Sequence, residues 1–93
     1  MAGRKVSGSP EALEQMIQKT NMFVEAQQRL IESLKRDYRS AGQDWNDSKY
    51  VQLGEVIDNT CRAIGASTPT LRECVTKLQA LKRALEDFNN VRF

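Results

Sequence analysis

The sequence predicts an all-α fold: an antiparallel hairpin of two long helices that pairs into a four-helix bundle. Three observations predict it. Apolar residues recur in alternating steps of three and four on both sides of one central break. The break, residues 41–47, is dense in turn and cap residues around the only tryptophan. A strong helix-start signal, Ser9-Pro10-Glu11, opens the first periodic segment.

The first helix is expected over about residues 10–40, after a flexible tail at 1–8 rich in Gly, Ser and basic residues. Ser9 can accept from the first helix amides. Pro10 has no N–H to leave orphaned there. Glu11 complements the positive end of the helix dipole. The apolar stripe then runs through Leu13, Ile17, Val24, Ile31, Leu34 and Tyr38, interrupted by Thr20 and Gln27. Met16, Phe23 and Leu30 widen it on one side, as expected for a helix with more than one neighbour.

The turn should place Gly42 in a left-handed conformation at the helix end. Asp47 or Ser48 should cap the second helix, expected over about 48–88 with a tail at 89–93. Its stripe is read as Tyr50, Leu53, Ile57, Thr60, Ile64, Ser67, Leu71, Cys74, Leu78, Leu81, Leu85 and Phe88. Pro69 removes a helix hydrogen bond and bends its predecessor away from helical angles. The spacing of Ile64 and Leu71 nevertheless spans it in register, so a kinked or interrupted second helix is expected near Pro69. Thr20, Gln27, Thr60 and Ser67 either specify register or sit tolerated at the edges of the stripes.

One domain is all that 93 residues allow, organised as tail 1–8, hairpin 9–88 and tail 89–93. So short a chain buries only about 60% of the surface its unfolded form exposes. The apolar stripe therefore calls for a partner or a second copy.

Composition narrows the function classes. Fourteen basic residues stand against twelve acidic ones, both signs interspersed, which argues against nucleic acid. The cluster of Arg29, Lys35, Arg36 and Arg39 suits the negative end of the first helix. Mean hydropathy is -0.57, and no apolar run approaches the roughly 20 residues of a membrane span, so no membrane insertion is expected. The start, Met1 to Val6, has a basic pair without an apolar stretch behind it, which predicts synthesis in the cytoplasm without a signal peptide.

Catalysis and cofactors are not expected. The chain has no histidine, and its five glycines are scattered. Cys61 and Cys74 lack metal spacing and read as buried or half-buried thiols. On a continuous helix they lie about 20 Å apart, beyond disulfide reach. Asp44, Asn46 and Ser48 alternate like the start of a calcium loop, but Lys49 holds the position that needs glycine, so they read as turn and cap chemistry.

The two amphipathic helices and the turn Trp45-Asn46-Asp47 resemble the WXG family, the early-secreted-antigen-like helical hairpins of type VII secretion in Gram-positive bacteria. The resemblance covers about residues 9–88. Trp45 matches the family's tryptophan, and Asp47 stands at its glycine. Tyr50 and Leu53 match the apolar residues early in its second helix. Past that helix, Phe88 stands at the family's aromatic position, while Arg92 replaces an acid. The resemblance implies a protein that works by dimerisation, as an export substrate or co-secreted partner, with Trp45 anchored on a neighbouring hairpin. A homodimer is favoured, and a secretion ATPase or larger effector is the implied further partner. Two alternatives stay open: a cytosolic targeting chaperone for a larger type VII effector, and a structural coiled-coil adaptor unrelated to secretion.

Overall fold

A computed structural model describes residues 9–91. The described chain is all-α and forms a helical hairpin of α1 (Pro10–Ala41), α2 (Ser48–Ala66) and α3 (Thr68–Val91). The expected tail at 1–8 and the charge at Arg92 lie outside the described residues. α3 continues to Val91, past the end expected at Phe88. The chain forms two compact units: the start of α1 through Phe23 with α3 from Thr70, and Val24–Pro69.

The helix ends follow from local chemistry. Ser9 Oγ accepts from the Ala12 amide at 3.1 Å, closing one orphan donor of α1. Asp47 is the N-cap of α2, its extended backbone aiming the carboxylate at the amides of Lys49 and Tyr50. A single residue, Ser67, separates α2 from α3, and its own angles (φ -82, ψ -15) remain right-handed helical. Pro69 is the second residue of α3, where a helix makes little use of the missing N–H. The interruption thus costs almost no register.

Within the second unit, the pairs Tyr38–Tyr50, Ile31–Cys61 and Gln27–Ser67 ascend on α1 while descending on α2, which is an antiparallel packing. In heptad terms α1 places Ile17, Val24, Ile31 and Tyr38 at a, and Leu13, Thr20, Gln27 and Leu34 at d. Along α2 and α3 the d positions are Tyr50, Ile57, Ile64, Leu71, Leu78 and Leu85. The a positions are Gly54, Cys61, Thr68, Val75 and Lys82. Every one of these residues is buried or half-buried.

That register divides the stripe read from the second helix into an inner row and an outer row. Thr60, Cys74, Leu81 and Phe88 are exposed, Phe88 by 70%, and the residues that follow the first three, Cys61, Val75 and Lys82, turn inward instead. Leu53 and Ser67 are half-buried at the margin. The remaining stripe residues, Leu13, Ile17, Val24, Ile31, Leu34, Tyr38, Ile57, Ile64, Leu71, Leu78 and Leu85, lie on the inner face. The inner core is thin: among the described residues only Ile17, Val24, Cys61 and Val75 are buried, and none of these side chains is completely so.

Candidate functional site: the tryptophan turn and an exposed apolar face

The turn is organised by one carboxylate oxygen. Asp47 Oδ1 accepts from Trp45 Nε1 at 2.7 Å, from the Lys49 amide at 2.9 Å and from the Tyr50 amide at 3.2 Å. One acidic group therefore caps α2 and fixes the indole. Trp45 tilts against the Tyr50 ring at 5.7 Å, within its own chain, and keeps 39% of its surface exposed. Asn46 is exposed between them. Of the three turn residues, Trp45 and Asp47 thus share one constellation with Tyr50, and Asn46 stands outside it.

Two tyrosines clasp the helices beneath the turn. Tyr50 Oη donates to the Tyr38 carbonyl at 2.7 Å, and Tyr38 Oη donates to the Tyr50 carbonyl at 3.2 Å. Their rings stack at 4.3 Å with 4° between planes. Each ring lies over a glycine across the hairpin: Tyr38 over Gly54 of α2, and Tyr50 over Gly42, the first residue past α1. A Cβ on Gly42 would fall 2.6 Å from Tyr50 Cζ, and one on Gly54 would fall 2.8 Å from Tyr38 Cζ. Gly42 was expected to supply a left-handed helix end. Its backbone is not left-handed, and its amide stays bonded to the Tyr38 and Arg39 carbonyls. What requires glycine is the tyrosine's approach. The sequence carried a signal for this: tyrosine followed four residues later by glycine, twice. Partial burial, and then the Tyr38 hydroxyl, raise the Tyr50 phenol above its ordinary pKa.

A polar layer crosses the second unit at the helix interruption. Gln27 Nε2 donates to Ser67 Oγ at 2.9 Å, and Ser67 Oγ donates to the Ile64 carbonyl at 2.9 Å. Of the four polar interruptions of the stripes, only Gln27 and Ser67 meet. Thr20 bonds its own helix at the Met16 carbonyl, and Thr60 faces outward. In the first unit Lys82 takes the comparable inner position. Its Nζ lies 3.1 Å from Glu14 and 3.7 Å from Glu86. The hydrogen bond from Lys82, helped by Gln18, holds the Glu14 carboxyl below the ordinary carboxylate range, and Glu14 in turn raises the Lys82 ammonium.

The two flanks of the first unit differ in chemistry. Antiparallel heptad packing puts the e residues of both helices on one flank and the g residues on the other. The e flank is polar: Glu14, Gln79, Arg83 and Glu86 line one groove with Lys82. The g flank is apolar: Met16 and Phe23 from α1, Cys74, Leu81 and Phe88 from α3, all exposed. Beside them, at c, stand Ala12 and Lys19 on α1 and Thr70, Lys77 and Ala84 on α3. Cys74, expected to be buried or half-buried, is exposed because it belongs to this flank; Cys61 is buried, and neither is in a disulfide.

The arrangement offers binding surface. Among the described residues no group of three or more His, Cys, Asp or Glu could hold a metal ion, and no helix is long and apolar enough to cross a membrane. No family model, no curated protein and no solved structure matches the chain.

Proposed function

We propose that this chain is a non-catalytic, WXG-like type VII secretion protein that acts by pairing with another helical surface, as an export substrate or co-secreted partner. The observation that carries the pairing is the exposed apolar flank. Phe88, Leu81, Phe23 and Met16 are each at least half exposed, while only four of the described residues are buried. A row of large apolar side chains left in water is the mark of an interaction surface rather than of a finished monomer. Support for the WXG-like reading comes from the turn. Asp47, at the glycine position of that family's motif, joins the tryptophan to the start of α2 through a single oxygen. In this chain the turn residues Trp45 and Asp47 are thus tied together.

The test is made in the native host, with an epitope-tagged chain and a strain lacking the secretion ATPase. The expected outcome is tagged chain in the medium of the intact strain and its retention in the mutant. Retention in both strains, in complex with one larger protein, would establish the alternative of a cytosolic chaperone or adaptor. The exposed Trp45 beside Asp47 favours neither alternative over the other.

A further inference from the structure

The C-terminal part of α1 carries more cations than the helix itself calls for. Arg29, Lys35, Arg36 and Arg39 are all exposed. A helix dipole attracts cations to its last turn, and only Arg39 stands there. At 3.6 residues per turn the four fall within about a third of the helix circumference, along about 15 Å of its length. Between residues 29 and 39, Glu32 is the one acid on that face, because Asp37 sits at g on another side.

The chain does not neutralise this face. Among the described residues none of the four cations forms an ion pair. Asp58 lines the same pocket as Lys35 and Arg39, but its carboxylate is held by Arg62 at 2.8 Å. Lys35 and Arg39 stand four residues apart, a spacing at which like charges destabilise a helix. Beside them is room for an apolar group, since the pocket is also lined by Tyr38, Gly54 and Ile57.

A carboxylate-bearing segment matches both features. Arginine forks pair with carboxylates through two parallel hydrogen bonds. The length of the face equals about five residues of extended chain. Nucleic acid matches less well, because proteins that hold it firmly neutralise about six to ten phosphates, and this face offers four cations with Glu32 among them. A lipid surface would call for large exposed apolar side chains beside the cations, whereas Tyr38 and Ile57 are half-buried.

We propose that this face of α1 docks an acidic segment of a partner protein. Its carboxylates lie along Arg29, Lys35, Arg36 and Arg39, and one apolar side chain enters the pocket beside Tyr38. The four cations occupy b, e and f of α1 and share no position with the apolar g row. The inference therefore goes beyond the pairing proposed above and does not depend on it.

Fluorescence anisotropy of the purified full chain tests this, with the labelled peptide Glu-Glu-Leu-Glu-Glu as probe and helical circular dichroism as the folding control. The native chain is expected to bind the peptide, more weakly as salt rises. Arg39→Glu should weaken binding about 10-fold, the scale of one charge-assisted hydrogen bond. Lys19→Glu changes the net charge equally from outside the patch and should weaken binding less than about 2-fold. Glycine in place of the peptide's leucine should weaken it about 5-fold, for partial burial of that side chain. No binding at millimolar peptide would overturn the proposal, and so would equal losses for Arg39→Glu and Lys19→Glu. An indifferent leucine would remove the pocket from it. Tighter binding of an oligothymidylate of the same length, or of phosphatidylserine vesicles, lost in Arg39→Glu, would overturn the acidic segment and give the face to nucleic acid or to a membrane.

Discussion

Asp47 concentrates three donors on one oxygen, so its replacement separates capping from indole anchoring. Asp47→Ala is expected to cost about 1 kcal/mol, the usual loss of an N-cap, and to release the Trp45 indole. Asp47→Gly removes the side chain and leaves the backbone free to adopt the cap conformation. It should recover most of the capping loss, since glycine at an N-cap costs only a few tenths of a kcal/mol, but not the indole bond. Thermal melts followed by circular dichroism measure the first effect, and Trp45 fluorescence the second. Equal stability of all three proteins would show that the carboxylate does not cap. At the clasp, Gly54→Ala forces a methyl group into the Tyr38 ring and is expected to destabilise by about 1–3 kcal/mol as an overpacking change. An exposed helical glycine would instead gain from alanine, so the sign of the shift is diagnostic.

The elements are held in register by polar contacts at a few inner positions. Lys82 occupies a core position on α3 and reaches Glu14 on α1. Glu14 has a lowered folded pKa, so its contribution is present above the ordinary carboxylate range and is lost as pH falls through the folded value. Lys82 has a raised folded pKa, so its contribution is complete below the ordinary lysine value and is lost as pH rises through the higher folded one. Denaturant melts across the acid range are expected to show a shallower loss of stability for Glu14→Gln than for the native chain. Identical slopes would show that the pair does not stabilise the fold. At the junction of α2 and α3, Thr68 Oγ1 and Gln27 Oε1 are buried without a hydrogen-bond partner in the chain. Thr68→Val keeps the shape and removes the hydroxyl, so it should leave stability unchanged or raise it by up to about 1 kcal/mol. A clear loss would mean that the hydroxyl has a partner, such as an ordered water.

For the whole molecule, a core of four buried residues and an exposed apolar flank have one consequence together. Ile17 is the most buried of them, and Ile17→Ala should cost about 2–3 kcal/mol, near the low end for such changes because the core is thin. The proposed pairing would add stability that depends on concentration, since only a folded chain would pair. The melting temperature of the native chain should therefore rise with protein concentration, and that of Leu81→Asp should not. Concentration-independent melting of both proteins would place the flank outside the stability of the fold.

The sequence by itself determined the helices and the turn between them. Ser9, Pro10 and Asp47 act within a few residues of their own position, and heptad spacing is a property of one helix. That is why the all-α hairpin was legible, and why Ile64 and Leu71 carried the register across Pro69. It did not determine which of two adjacent apolar rows faces inward. On α3 the row Cys74, Leu81 and Phe88 is more apolar than the true inner row of Thr68, Val75 and Lys82, so a search for the greasiest stripe selects the wrong side. Only packing against α1 resolves this, since Lys82 at its inner position meets Glu14 across the helices at 3.1 Å. The tyrosine clasp has the same character: two glycines spaced alike from two tyrosines are visible in one dimension, but the close approach that requires them exists only once the helices lie antiparallel. Local chemistry chose the elements, and contacts between residues far apart in the chain chose which face each one buries and which it leaves exposed.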